Sequence, residues 1–238
     1  ETQMSRLVHI RRALMMGGGG ALDSYTKLLL HMDGANGGTV FTDEAGHTFT
    51  ANGNAQTSTA QKVFGTASAL FDGTGDWIDT PDSTDFTLGS GDFTIDYRVR
   101  PIAAGGNTYT CGQYDVASDA SFYNILNITT NTITVAVKQT GTLTVKAVTS
   151  TTAIAADTWY HIAFVRNGNN LMLAVNGTFE GGNTDVTGIT VNDSTGKLAI
   201  GRSGEFAVGP LNGYIDEFRM SVGIARWTAN FTPPTGPY

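Results

Sequence analysis

Tyr109, Gln113, Tyr114 and Asp115 stand close together in one Gly- and Ala-rich stretch, residues 102–121. Rings beside amide and carboxylate groups suit carbohydrate. A sugar's C–H face stacks on an aromatic ring, and its hydroxyls need both donors and acceptors. Packing of the same rings against a protein body is the alternative reading. Glu205-Phe206 is a second pairing of this kind. A different chemistry attaches to Asp216, in the run 211–220 (LNGYIDEFRM). Read with period two, Tyr214, Asp216, Phe218 and Met220 share one face, and Ile215, Glu217 and Arg219 the other. Two aromatics flank the carboxylate, so its face reads as a core face. A carboxylate buried there needs a cation, a ring of backbone N–H groups or a basic partner such as Arg202.

Catalytic patterns are missing by comparison. His9, His31, His47 and His161 show no metal-binding spacing, and no nucleophile elbow or phosphate loop occurs. Glu44, Glu180, Glu205 and Glu217 are scattered through the body.

Short strands must position these residues. Residues 27–32 are almost continuously apolar, as in a strand buried on both faces. In 92–101, Phe93, Ile95, Tyr97 and Val99 alternate with Thr94, Asp96, Arg98 and Arg100, and Pro101 ends the run. Residues 132–138 and 142–148 read as a hairpin around Thr140-Gly141, with Ile133, Val135 and Val137 facing Leu143, Val145 and Ala147. Asn176-Gly177 calls for a tight turn. Stretches 34–62 and 102–121 read as loops, the first with short strands around Val40-Phe41 and Thr48–Ala51. Trp77, Trp159 and Trp227 read as core residues. No helix of consequence is expected after residue 24. The pattern is all-β: a two-sheet antiparallel sandwich over residues 25–238, preceded by an N-terminal arm over 1–24.

In the arm, Ser5 can cap a short helix that aligns Leu7, Ile10 and Leu14, with Arg6, Arg11 and Arg12 among them. Gly17 to Gly20 then end it in a flexible joint. A basic arm on an acidic body is expected to dock on another protein or on another copy of the chain, which makes a homo-oligomer the expected state. The chain opens on Glu1 rather than Met, which leaves open whether residues precede it.

The formal net charge of −7 argues against nonspecific binding to nucleic acid or anionic membrane. No apolar run is long enough to cross a bilayer, so no membrane insertion is expected. Cys111 is the only cysteine, which excludes an intrachain disulfide and a cysteine-based zinc site.

Four blocks carry a family resemblance: Phe71-Asp72-Gly73 through Asp76-Trp77-Ile78; Trp159-Tyr160-His161-Ile162-Ala163-Phe164-Val165-Arg166; Gly213-Tyr214-Ile215-Asp216-Glu217-Phe218-Arg219; and Gly223-Ile224-Ala225-Arg226-Trp227-Thr228. In this order they resemble concanavalin A-like, laminin G-like jelly rolls, especially those of bacteriophage virion proteins. The resemblance implies a virion surface component, a head decoration protein or a tail or head fibre module. Its partners would be other virion proteins, copies of itself through the arm, and host surface glycans. A free extracellular lectin or carbohydrate-binding module is the alternative. Many members of the wider fold hold one structural Ca²⁺. By resemblance Asp216 would be its main ligand, with the Gly73 carbonyl and Asp33 as additions. The fold's β-glucanases carry paired glutamates as E-x-D-x-x-E, a spacing suited to retaining hydrolysis. That run does not occur in this sequence, so a non-enzymatic role is expected.

Overall fold

The computed structural model describes residues 22–102, 107–116, 119–127, 129–142, 144–204 and 209–238. The arm residues Arg6, Leu7, Ile10, Arg11, Arg12 and Leu14, and the Glu205-Phe206 pair, lie outside them. The strands, in chain order, are β1 (Thr26–Leu30), β2 (Thr50–Asn52), β3 (Gln56–Ser58), β4 (Ser68–Asp72), β5 (Trp77–Thr80), β6 (Phe93–Pro101), β7 (Asn107–Val116) and β8 (Asp119–Asn127). Then come β9 (Thr132–Lys138), β10 (Val145–Thr149), β11 (Tyr160–Asn167), β12 (Asn170–Val175), β13 (Thr178–Asp185), β14 (Leu198–Ile200) and β15 (Asn212–Val222). The only helical element among the described residues is a 3₁₀ turn, Thr84–Phe86, capped by the Ser83 hydroxyl. No helix there is long and apolar enough to cross a membrane.

The strands form two antiparallel sheets. One runs β13-β12-β11-β6-β15-β4-β3, with β1 also paired to β15; the other runs β10-β9-β8-β7-β14-β5-β2. Alternation in β6 sends Phe93, Ile95, Tyr97 and Val99 between the sheets, where they meet Phe71, Ile78, Phe122, Ile162, Phe164, Ile200 and Ile215. The phenol of Tyr97 is satisfied inside this core: it lies 2.7 Å from the Thr110 hydroxyl and accepts from Asn124 at 3.2 Å. In the 34–62 stretch β2 overlaps the strand expected around Thr48–Ala51, Val40-Phe41 form none, and β3 is an addition.

β15 departs from the two-residue period. Its register against β6 runs Asp216 to Arg98, then Arg219 to Asp96, so three residues on one strand span two on the other. Glu217 takes φ +50° to absorb the extra residue, as a bulge requires. Before the bulge Ile215 faces the core; after it Phe218 and Met220 do. Tyr214, Asp216 and Arg219 therefore share the outer face. The sequence reading, which put Tyr214, Asp216, Phe218 and Met220 on one face, is corrected by this single residue. The bulge also marks the change of neighbour from β4, paired through Ile215, to β1, paired from Phe218.

The outer face of this sheet is not bare. Residues 223–238 cross it as a strap, not as an edge that closes the sandwich. Trp227 and Phe231 stack at 4.1 Å and, with Ala225, cover Ala163, Val165, Met172 and Ala174. Arg98 donates to the Pro234 carbonyl at 2.6 Å, and Tyr238 N–H to Glu217 at 3.2 Å. The three-tryptophan core of the sequence reading is thereby corrected. Trp227 belongs to the strap, Trp159 packs beside Tyr214 on the outer face, and Trp77 lies under the Arg202 guanidinium at 4.0 Å. The β9–β10 hairpin forms, but Val135 faces Val148 and Val137 faces Lys146, three residues off the expected pairing.

Candidate functional site

The stretch read as a loop is instead strand β7, paired to β8. Period two then sorts its residues. Phe122 and Leu126 point into the core, so Tyr123 and Ile125 point out, and their partners Gly112 and Tyr109 point out with them. Register shifts in β7 bring Tyr114 onto the same outer surface beside Tyr123. The ring centroids of Tyr109 and Tyr123 lie 6.1 Å apart, edge to face, and those of Tyr123 and Tyr114 lie 5.8 Å apart, nearly parallel. All three rings are partly exposed. The result is a tyrosine strip on the outer face of the seven-stranded sheet. Gly112, paired with Tyr123, is buried beneath the 201–204 turn: a Cβ there would meet the Ser203 carbonyl oxygen at 2.9 Å. Partial burial pushes the Tyr109 and Tyr123 phenols above their ordinary pKa, with repulsion from neighbouring phenols adding to it. They remain neutral donors and acceptors across the physiological range.

Two of the four residues named from sequence play other parts. Gln113 is fully buried, and its amide donates to Asp82 at 2.8 Å, the Ser194 carbonyl at 3.0 Å and the Gly196 carbonyl at 3.2 Å. It ties β7 to the 194–196 turn and cannot reach a ligand. Asp115 stands directly beneath Gly196, where a Cβ would lie 2.8 Å from the Asp115 Cβ. Tyr123 was missed. Its signal was available in the alternation of β8, where it has the opposite parity to Phe122.

Asp216 is fully buried, and its Oδ2 accepts backbone N–H bonds from Val63 at 2.6 Å and Phe64 at 3.2 Å. Asp33 grips the same loop further on, accepting from the Thr66 backbone N–H, from its hydroxyl at 2.9 Å and from Ala67 at 3.2 Å. These two residues named as calcium ligands therefore converge on one segment, residues 63–67. What they meet there is a row of backbone N–H groups, while the other Asp216 oxygen, Oδ1, is buried without a hydrogen-bond partner. Gly73 sits beyond Asn212, at the other end of the β4–β15 pairing. Four residues of strand separate Asn212 from Asp216, about 13 Å at the usual rise. The three do not make one oxygen cage of the kind calcium requires. Among the described residues, no three acidic, histidine or cysteine side chains come together to hold a metal. Arg202, offered as a basic partner for Asp216, instead covers Trp77.

Beneath the strap lies a buried ionic patch. Arg219 holds Asp96 through two bonds of 3.0 and 3.1 Å. His161 Nε2 lies 3.5 Å from Asp96 and 3.1 Å from the Tyr238 hydroxyl. Burial alone would raise the Asp96 pKa, but Arg219 and His161 outweigh it and hold the carboxyl below its ordinary value. Burial dominates at His161 and lowers its pKa, so the ring is neutral at pH 7. Asp216 receives no comparable help, and burial pushes it up to about 7.

The two antiparallel sheets define a concanavalin A-like jelly-roll sandwich. The sequence profile described as Laminin_G_3, concanavalin A-like lectin/glucanases superfamily, matches residues 72–223, and the chain belongs to that family. No curated protein sequence matches it. Among solved structures, the binding domain of Paraclostridial Mosquitocidal Protein 1 is similar, with a TM-score of 0.65 and 13% identity over 83% of this chain and 48% of that one. The binding domain of botulinum neurotoxin DC in complex with SialylT has a TM-score of 0.59 and 14% identity over 83% and 48%. Domain 4 of AbnA, a GH43 extracellular arabinanase from Geobacillus stearothermophilus, in complex with arabinotriose, has a TM-score of 0.61 and 18% identity over 85% and 95%. The chain spans about half the length of these toxin binding domains. At such identities the likeness establishes the fold.

Proposed function

We propose that the chain is a non-catalytic glycan-binding sandwich, displayed on a bacteriophage virion and held there by its N-terminal arm. The observation that carries the glycan part is the tyrosine strip: three adjacent, partly exposed phenol rings on a rigid sheet. Aromatic rings on a preordered strand pair lose little entropy when a sugar stacks on them. Solved relatives bound to arabinotriose and to SialylT support the same reading. The test is a glycan array probed with the full chain, followed by calorimetry on the glycans retained. Tyr109→Ala together with Tyr123→Ala is expected to weaken binding by about a hundredfold, each lost stacking contact being worth ~1.4 kcal/mol. Unchanged affinity in the double variant would remove the strip from the account.

The virion part rests on the sequence resemblance and on the contrast between a basic arm and an acidic body. Replacing Leu7, Ile10 and Leu14 together by Asp in the full chain is expected to convert a defined oligomer into monomers by light scattering. A wild-type chain that is already monomeric would rule out self-assembly through the arm. A second reading, a free carbohydrate-binding module in an extracellular setting, is favoured by one observation. The arabinanase domain is matched over 95% of its own length. On that reading the arm substitutions leave both mass and glycan affinity unchanged.

A further inference from the structure

The outer face of the eight-stranded sheet carries a cleft of about 380 Å³ at its β3–β4 edge, whereas the tyrosine strip lies on the other sheet. Its walls are two turns. Asn54 and Gln56 come from the β2–β3 turn and its exit, and Asp72 and Asp76 from the β4–β5 turn. Asp76 is buried and joins the walls: one oxygen accepts the Asn54 N–H at 2.5 Å, the other the Asp72 N–H at 2.9 Å. Close contact keeps them together, since a Cβ on Gly53 would meet the Gly75 carbonyl oxygen at 2.3 Å. The cleft is therefore held open by the fold and does not have to be formed by a ligand.

Its polar groups are only partly used. Asp72 accepts from Thr74 N–H at 2.7 Å with one oxygen and from the Asn54 amide at 3.4 Å with the other. Each carboxylate oxygen accepts two bonds, so both keep capacity. Gln56 spends an N–H on the Asn54 carbonyl at 3.4 Å, and its carboxamide oxygen faces Gly37. Gly37 has φ +80°, a conformation that favours glycine, and its missing side chain leaves that oxygen accessible. Leu70 forms an apolar wall.

Register extends the cleft into a row. Gln56 pairs with Leu70, Leu70 with Tyr214, and Tyr214 with Arg100. Tyr160 pairs with Val99, which places Trp159 next in line. Trp159 lies 6.4 Å from Tyr214, whose ring is only 9% exposed and acts as support. Five strands at about 4.8 Å spacing make a row of about 19 Å, the length of a short oligosaccharide. Its charges are set against anions. Arg100 is already neutralised by Asp157 at 3.0 Å, which leaves Asp72 and Asp76 uncompensated by any cation in the row.

We infer that this row is a second carbohydrate site, for a neutral oligosaccharide. Its end sugar sits in the cleft with hydroxyls on Asp72, Asn54 and Gln56, and a later unit stacks on Trp159. The proposal extends the glycan-binding reading to the opposite sheet but does not require the tyrosine strip. A two-faced binder of this kind can bridge two chains of one polymer.

The experiment titrates the full chain carrying Tyr109→Ala and Tyr123→Ala with cellotriose, xylotriose, arabinotriose and trigalacturonate, by calorimetry and chemical-shift mapping. At least one neutral trisaccharide is expected to bind and to shift the resonances of the 54–56 and 72–76 turns. Adding Asp72→Asn, or separately Trp159→Ala, should weaken that binding about tenfold each, and trigalacturonate should bind about tenfold more weakly than the neutral sugar. Asp72→Asn keeps the bond from Thr74 N–H, and an unchanged melting temperature confirms that it folds. If no neutral trisaccharide binds in the tyrosine-free background while the wild type still binds glycan, the second site is overturned and the strip stands. If binding persists there and falls with Asp72→Asn, the second site holds even where the strip fails. Affinity indifferent to both Asp72→Asn and Trp159→Ala also overturns it.

Discussion

Arg219→Ala is expected to destabilise the protein by about 3–5 kcal/mol, because it strands a buried carboxylate. Asp96 is fully buried on the central strand β6, and Arg219 supplies both of its short charge-assisted bonds. His161, 3.5 Å away, has its own pKa lowered by burial and offers Asp96 one longer contact in place of two short ones. The guanidinium also lies 3.7 Å from the Tyr238 ring centroid and 5.7 Å from that of Trp227, so its loss unseats the strap. Urea denaturation gives the measurement. The double variant Arg219→Ala with Asp96→Ala should be much less destabilised than the sum of the two single variants, since the stranded charge goes with its partner. Strict additivity would mean that the pair contributes nothing as a pair.

Asp216→Asn is expected to act in the opposite direction above neutral pH. The carboxyl of Asp216 is pushed up to about 7 by burial, against 3.8 for the ordinary group. Below about pH 4 it is protonated in both folded and unfolded chains and makes no difference. Between about pH 4 and 7 the folded state holds a proton that the unfolded state releases, so stability falls as pH rises, and it levels off above about 7. At ~1.4 kcal/mol per pH unit the full loss is about 4 kcal/mol. An asparagine keeps an oxygen for the Val63 and Phe64 N–H groups and carries no charge to desolvate. The variant should therefore match the wild type near pH 4 and exceed it by a few kcal/mol at pH 8. His31 adds a slope of the same sign. Its hydrogen bond to Glu217 raises its pKa, so its contribution is complete below about pH 6.5 and fades as pH rises through the folded value. That slope is common to both proteins and cancels in the difference. Thermal melts at several pH values, with and without calcium, decide the matter. A variant less stable than the wild type at pH 8, or a wild type whose pH slope disappears on adding calcium, would mean that Asp216 meets a cation and not N–H groups alone.

The two-sheet fold was legible because burial leaves a period in the sequence. Phe93, Ile95, Tyr97 and Val99 alternate without interruption, and the β6 core face follows directly from them. In β15 the alternation of residue types looked equally clean, yet Glu217 breaks it. A bulge adds a residue without changing composition, and nothing about a glutamate at that position announces a positive φ. The tyrosine strip was half legible for a related reason. Tyr109 and Tyr114 were marked by their chemistry, but Tyr123 is adjacent to them only through strand pairing, which lies outside any local window. Gln113 shows the converse: a side chain with suitable chemistry in the right stretch is turned inward by parity and spent on the 194–196 turn. The cleft beside Asp72 was not legible in the sequence, because its other wall comes from Asn54 and Gln56, well upstream.

The position of β15 has a consequence for how the molecule comes to exist. Residues 212–222 occupy the middle of a sheet whose other members are all earlier in the chain, between β6 on one side and β4 and β1 on the other. Until that segment leaves the ribosome, β1, β4 and β6 each present an unpaired edge, and the core lacks Ile215, Phe218 and Met220. Pairings between Leu30 and Phe218 close nearly the whole length of chain in one contact, the kind of closure that makes folding slow. Assembly of this sandwich therefore waits for its last strand, and until then the nascent sheet carries open strand edges that chaperones or neighbouring chains can engage.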